Sequence, residues 1–301
     1  MTANGRRLGV IGAGNIGGAI ATNLLADGHA VTVHDADAAR ARPLLRAGAL
    51  VVDSPAAVAE RSEITFTSLP SPAVMETVAA AWLAGASRDA VLVDLSTNAP
   101  ATVRAVGERL ASAGRHLLEA PLTGGAPGAQ ARMLVFMVGG ERAVYERCRP
   151  LLEALGRAVF HLGALGLGNT AKLVNSLLAF TATWVSLEGL AVAAKAGVNL
   201  RTMIEVIRTG GAGNFFTDRM VEGINERGRA TQFALALAAK DAGLLLDLAR
   251  ETAVPVPVAA EVAQALVAAV GAGLGERDFT DLVELIERQA GVALRLPPAA
   301  S

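Results

Sequence analysis

Short apolar runs alternate with longer amphipathic segments through the first half of the chain. Residues 7–11, 30–34, 50–52, 64–69 and 90–95 are rich in β-branched or aliphatic side chains and too short for helices. Residues 116–119 and 134–138 repeat the pattern. Between them, 16–27, 36–47, 73–84 and 99–113 carry apolar positions at helical spacing. Such alternation predicts βαβ crossovers and a mostly parallel, doubly wound sheet, an α/β fold. Strands covered by helices on both faces have no solvent side, which accounts for their continuous apolar character.

The pattern changes near the glycine-rich Gly163-Ala-Leu-Gly-Leu-Gly168. Beyond it no strand is predicted. Helical spacing recurs at 169–196, 200–208, 217–227, 230–252, 257–271 and 280–289, in a stretch rich in alanine and leucine, both strong helix formers. The expected organisation is an α/β domain over 1–163 and an all-helical domain over 164–301. The Pro/Ala tail 296–301 is expected to be disordered.

Composition narrows the class. The chain has 301 residues, 52% hydrophobic and 18% charged, enough to bury a large core. A formal net charge of -1 without a basic run argues against nucleic-acid binding, which needs a cationic patch. Residues 1–7 carry no apolar run of signal-peptide length. The single cysteine, Cys148, allows no intrachain disulfide and reads as a partly buried helix residue. A cytoplasmic location is expected. Between Lys172 and Lys195 the one charge is Glu188, and the stretch is long enough to span a bilayer. Its interruptions by Asn175, Ser176, Thr181, Thr183, Ser186 and Gly189, without flanking aromatic belts, instead predict a helix buried on most sides by protein.

Leu8-Gly-Val-Ile-Gly12-Ala-Gly14-Asn15-Ile16-Gly17 follows a predicted strand and opens a predicted helix. Gly12 permits the tight turn, Gly14 lets backbone approach a pyrophosphate, and Gly17 lets helix pack closely on strand. The next strand ends in Asp35, placed to accept from ribose hydroxyls. Its alternative role is as a cap for the helix that follows. Asp35 followed by Ala36 favours NAD, although Arg40 and Arg42 are near enough in sequence to admit NADP. Ser68-Leu69-Pro70 and Asp94-Leu-Ser96-Thr97-Asn-Ala-Pro100 end further strands, at the sheet edge where such folds bind ligands. Leu69, Pro70, Ser96 and Thr97 are therefore cofactor candidates, with helix capping as the alternative for Ser96 and Thr97.

Glu119-Ala-Pro121-Leu-Thr123-Gly124-Gly125 pairs a hydroxyl with two glycines, whose N–H groups can hold a carboxylate. Asn169 is the expected N-cap of the long helix. Lys172, Asn175 and Ser176 follow at i, i+3 and i+4, spacing that places them on one face. No metal site is assigned.

Together these segments resemble the β-hydroxyacid dehydrogenases, the relatives of 3-hydroxyisobutyrate dehydrogenase and 6-phosphogluconate dehydrogenase. The resemblance rests on the N-terminal glycine fingerprint, Pro121-Leu-Thr123-Gly124-Gly125, and Gly166-Leu-Gly168 leading to Lys172 and Asn175. Phe233 through Lys240-Asp241 and Gly273-Leu-Gly-Glu-Arg-Asp278 are also similar to that family. It implies a Rossmann domain, a long interdomain helix and a helical domain that forms a homodimer or homotetramer. It assigns the catalytic lysine to Lys172, the substrate loop to Thr123, Gly124 and Gly125, and a cofactor-side lysine to Lys240. Asn175 matches the first amide of an Asn-Asn pair, and Ser176 replaces the second. Thr123 stands where serine is commoner and Arg132 where glycine is usual. The implied activity is hydride transfer between NAD, or NADP, and a small β-hydroxy acid or its semialdehyde, with Lys172 as general acid/base. Val174-Asn175-Ser176 lacks the histidine expected for 6-phosphogluconate-type decarboxylation. Lys172 argues against imine reduction and against a non-catalytic NAD-binding protein.

Overall fold

A computed structural model describes residues 5–297. Residues 1–4, within the segment 1–7, and the tail residues 298–301 lie outside the described residues. The chain divides into two compact units after Lys172. The division falls inside a helix rather than at Gly163, because the start of that helix is bound to the strand edge of the first unit.

In the first unit, β1 (Arg7–Ile11), α1 (Asn15–Ala26), β2 (Ala30–His34), α2 (Ala38–Arg46), β3 (Leu50–Val51) and α3 (Pro55–Ala59) come first. They are followed by β4 (Ile64–Thr67), α4 (Pro72–Gly85), β5 (Val91–Asp94), α5 (Pro100–Ser112) and β6 (His116–Glu119). The six strands are all parallel, in the order β3-β2-β1-β4-β5-β6. Strand order reverses between β1 and β4, which opens a crevice at the carboxyl ends of the strands. One face buries Leu8, Val10, Ile20, Leu24 and Phe66, the other Ile11, Met75, Trp82, Leu92 and Leu110. This two-sided burial is why the strands read as uninterrupted apolar runs.

A smaller sheet follows: β7 (Leu122–Thr123), α6 (Gly125–Gln130), β8 (Leu134–Val138), α7 (Arg142–Leu155) and β9 (Gly156–His161). β8 pairs antiparallel with β7 and parallel with β9. A bridge between Glu119 and Gly139 joins the end of β6 to the residue after β8. On α7, Cys148 is fully buried, and burial pushes its thiol up to about 12. The elements α3, α6, α7, β7 and β9 are additions to the sequence-predicted set.

The 29-residue α8 (Leu167–Lys195) begins in the first unit. The second unit continues with α9 (Leu200–Thr209), α10 (Leu235–Glu251), α11 (Pro257–Ala269) and α12 (Val283–Ala290). Its core gathers Trp184, Leu187, Leu190, Phe216, Leu266 and Leu282, with Phe180 against Phe279 at 5.3 Å between ring centroids. Three departures from helical expectation have local causes. Arg208 donates to the Thr217 carbonyl at 3.0 and 2.6 Å. The Val221 amide turns to Phe216 O instead, giving a π turn over Phe216–Met220 and a 3-10 turn over Val221–Asn225 in place of a helix at 217–227. The Asp278 carboxylate takes the Gln232 and Phe233 amides, so α10 starts at Leu235 rather than near 230. Leu296 is buried and exchanges hydrogen bonds with Asn225, so its part of the supposed tail is ordered.

The expectation that α8 is buried on most sides fails. Leu173, Phe180, Leu187 and Leu190 point into the core, but Val174, Leu178, Val185 and Val192 are exposed. α8 and the segment Pro257–Leu274 are long and apolar enough to cross a membrane, and each is buried in part.

Candidate active site

The glycine loop between β1 and α1 has the shape that a dinucleotide phosphate requires. Gly12 has φ 91°, and a Cβ there would lie 2.2 Å from Ser68 O. A Cβ on Gly17 would lie 1.8 Å from Gly12 O, so only glycine lets α1 approach the strand this closely. Gly14 is the N-cap residue of α1, with Asn15 and Ile16 opening the helix. The Arg40 guanidinium reaches over the loop, 3.6 Å from the Cβ position of Gly14. Asp35 turns back onto the same loop. Its carboxylate accepts from the Ala13 amide at 2.6 Å and from the Asp37 amide at 2.8 Å. Capping of α2 falls to Asp37, which accepts from Ala39 N. Asp35 is therefore a loop residue at the cofactor edge, and the set Gly12, Gly14, Gly17 and Asp35 fits NAD(P).

At the neighbouring strand ends, Ser96 Oγ donates to Asp94 Oδ1 at 2.7 Å and accepts from Leu69 N at 2.8 Å. Ser96 is buried, so its side chain ties β4 to β5. Thr97 is half-buried and Pro70 exposed. Neither Ser96 nor Thr97 caps α5, whose N-cap residue is Ala99 with Pro100 in the first turn. Asp94 is fully buried. Thr67 and Ser96 donate to one of its oxygens and Asn98 Nδ2 to the other, each at 2.7 Å. Burial raises its pKa, against these hydrogen bonds.

The loop after β7 carries half-buried Thr123, then Gly124 and Gly125, both at positive φ (122° and 61°). These conformations turn the chain sharply into α6. Behind the loop, Arg132 donates to both Asp27 oxygens at 2.8 and 2.9 Å and to Asn23 O, which ties the end of α6 to the end of α1. The departure from glycine at Arg132 is thus a clamp.

Lys172 is half-buried, one turn into α8. Of its predicted companions, Asn175 is exposed, whereas Ser176 is buried and its hydroxyl has no partner among the described residues. Burial therefore separates two residues that share a helical face by spacing. Lys240, on α10, pairs with buried Asp241 at 3.0 Å. Asn169 is not the N-cap. It lies inside the first turn, fully buried, and the cap comes from Glu119, about 50 residues earlier. Glu119 is a residue to which sequence reading assigned no role. The signal was present as an acidic residue at the end of an apolar strand that has no solvent side.

Two family matches cover most of the chain and meet at residues 163–166, a few residues before the structural division at Lys172. Residues 7–163 match the NAD binding domain of 6-phosphogluconate dehydrogenase. Residues 166–286 match the NAD-binding domain of NADP-dependent 3-hydroxyisobutyrate dehydrogenase. The chain belongs to the β-hydroxyacid dehydrogenase family. Among members of this family it is 32% identical to 2-(hydroxymethyl)glutarate dehydrogenase of Eubacterium barkeri, over 96% of this chain and 97% of that one. The solved structure of Mycobacterium tuberculosis 3-hydroxyisobutyrate dehydrogenase with L-serine superposes with a TM-score of 0.85 at 28% identity, covering 94% of this chain and 99% of that one. An imine reductase of Streptomyces aurantiacus shares the fold, at TM-score 0.64 and 24% identity over 93% of this chain and 99% of that one. The β-hydroxyacid dehydrogenase described here is an NAD(P)-dependent oxidoreductase that acts on a hydroxyl-bearing carbon.

Proposed function

We propose that the enzyme interconverts a short β-hydroxy acid and its semialdehyde, with Lys172 as the acid/base group. The observation that carries this reading is Lys172 itself. It stands half-buried one turn into α8, in the same compact unit as the glycine cradle and the Thr123 loop. The names of the relatives support the substrate class. 3-Hydroxyisobutyrate, 2-(hydroxymethyl)glutarate and L-serine all carry a primary alcohol two carbons from a carboxylate carbon.

Gly12, Gly14 and Gly17, with Asn15 and Ile16, would hold the cofactor pyrophosphate, and Asp35 the ribose, with Leu69, Pro70, Ser96, Thr97 and Lys240 as further contacts. Bound NAD(P) supplies the hydride acceptor or donor. The substrate carboxylate docks on Thr123 and the amides of Gly124 and Gly125. Lys172 Nζ takes the hydroxyl proton as the C–H bond breaks, and returns it to the carbonyl oxygen in reduction. Asn175 orients the reacting oxygen. Ser176 lines the adjoining turn.

Kinetics of Lys172→Ala test the reading on a panel of 3-hydroxyisobutyrate, L-serine, 2-(hydroxymethyl)glutarate and a cyclic imine. On the best hydroxy acid, kcat should fall by about 10²–10⁴-fold, the range of acid/base groups. NAD binding and melting temperature should persist. Full turnover in the variant, or turnover of the imine alone, would overturn the reading.

We also infer self-association through the helical unit. Val174, Leu178, Val185 and Val192 are 46–71% exposed at spacings of 4, 7 and 7 along α8, an apolar stripe of the kind that marks an interface. Light scattering should report a dimer or larger, and a 30.7 kDa particle at micromolar concentration would refute this.

A further inference from the structure

Glu119 ends β6, where its carboxylate is fully buried among N–H donors. Four N–H donors surround it. Gly166 N and Gly168 N reach Oε1 at 2.5 and 2.9 Å. Asn169 N and Nδ2 reach Oε2 at 3.0 and 2.6 Å. The three backbone donors are among those that a helix leaves open at its N-terminus: Gly168 N and Asn169 N lie in the first turn of α8, and Gly166 N immediately precedes it. All four contacts present hydrogens to the carboxylate, so both oxygens serve as acceptors and none of the four calls for a carboxyl proton. Burial raises the pKa of the group, and the four donors oppose that rise.

The surroundings are shaped around this carboxylate. A Cβ on Gly139 would lie 2.1 Å from Glu119 Oε1, and one on Gly168 would lie 3.1 Å from its Cδ and 2.5 Å from Met137 O. Glycine at both positions leaves the room that the side chain occupies. The contact continues to the cofactor edge. Asn169 Oδ1 accepts from Asn98 N at 2.7 Å, and Asn98 Nδ2 donates to Asp94. Asp94 is held in turn by Thr67 and by Ser96, which binds Leu69 N. The ends of β4, β5 and β6 and the first turn of α8 thus form one buried polar chain.

Lys172 lies three residues beyond Asn169, about 4.5 Å along the helix axis at 1.5 Å per residue. We propose that Glu119 is a positioning residue, whose carboxylate fixes the first turn of α8 on the strand edge and so sets where Lys172 meets the substrate. The catalytic half of this inference rests on the acid/base reading of Lys172. The structural half does not.

Glu119→Gln tests it. The amide keeps the volume but replaces one acceptor oxygen with a donor facing N–H groups. Amide hydrogen exchange of unmodified protein comes first. Gly166, Gly168 and Asn169 should exchange as slowly as the central strands, and exchange at loop rates would overturn the proposal whatever the variant does. In Glu119→Gln these amides should exchange faster, while β1 and β4 stay protected.

Kinetics on 3-hydroxyisobutyrate, or on the best hydroxy acid of the panel, should show kcat lowered about 10–100-fold, the scale of a misplacement near 1 Å. KM for NAD should stay within about twofold, since the glycine cradle is untouched. The primary deuterium isotope effect on kcat should rise as chemistry becomes limiting. A merely structural role would lower the active fraction and leave the isotope effect unchanged, and that result would also overturn the proposal. Lys172→Ala separates the two readings. An inactive Lys172→Ala beside a fully active Glu119→Gln sinks the positioning role alone. An active Lys172→Ala, or no turnover of any hydroxy acid, sinks both, while exchange still decides the cap.

Discussion

Arg132 has φ 59°, a left-handed conformation that L-residues adopt at a cost, yet its guanidinium makes a bidentate pair with Asp27 and bonds to Asn23 O and Ala154 O. Two substitutions separate the strain from the contacts. Arg132→Ala keeps the strain and loses the contacts. The paired side chains are about a third exposed (33% and 30%), so solvent screening limits the ion pair to about 1 kcal/mol. The two carbonyl contacts add about 0.5–1 kcal/mol together. The alanine variant should therefore be less stable by about 1.5–2 kcal/mol, a fall in Tm of roughly 3–8 °C for a domain of this size. Arg132→Gly loses the same contacts but relieves about 1–2 kcal/mol of left-handed strain, less about 0.5–1 kcal/mol for glycine's larger unfolded-state entropy. Glycine should then be more stable than alanine by about 0.5–1 kcal/mol. Thermal unfolding followed by circular dichroism measures both. The gap between wild type and alanine should narrow in 1 M salt, where the screening length is about 3 Å. If glycine proves no more stable than alanine, the positive φ is not a source of strain and the reasoning fails.

Two further tests address other parts of the molecule. Asp35 followed by Ala36 should favour NAD over NADP in kcat/KM, and Asp35→Ala with Ala36→Arg should move the preference towards NADP; equal or better use of NADP by the unmodified enzyme would refute this. Asp278 is buried, and although burial opposes its charge, the Gln232 amide, the Arg229 guanidinium and Thr280 hold its pKa below the ordinary 3.8. Its stabilisation is therefore present above pH 3.8 and is lost as pH falls through the depressed value. Urea unfolding should show Asp278→Asn well below wild type at pH 7 with the gap closing in acid, and an equal gap at both pH values would contradict it.

The first unit was legible in the sequence because its physics is local and periodic. β1, β2, β6 and β8 begin and end where the apolar runs do, since burial on both faces leaves no polar position to blur the bounds. The glycine cradle was equally legible, as the turn at Gly12 and the contact of Gly17 with Gly12 O are local, although the close approach of Ser68 O to Gly12 comes from a distant strand. Apart from α7, which at 14 residues is long enough to show a period, most of what escaped depends on partners distant in the chain or on elements with too few residues to show one. Thr217 reads as helical until Arg208 captures its carbonyl. The start of α10 is set by Asp278, more than 40 residues later. α3, α6 and β7 span two to six residues each, too few for periodicity to register. Ser176 shows the limit of spacing itself, which places residues on a face without saying what covers that face.

The cap on α8 also carries a consequence for the order in which the protein assembles. Glu119 and its donors are separated by 47–50 residues, so the loop between them must close before the contact can form, and closure of so long a loop is entropically slow. α8 can become helical early from its alanine- and leucine-rich body, but its first turn has no acceptor until the sixth strand has joined the sheet. A partly folded chain with the central strands in place would therefore have its glycine cradle shaped while Lys172 is still unanchored. Cofactor affinity should then return before turnover when the enzyme refolds.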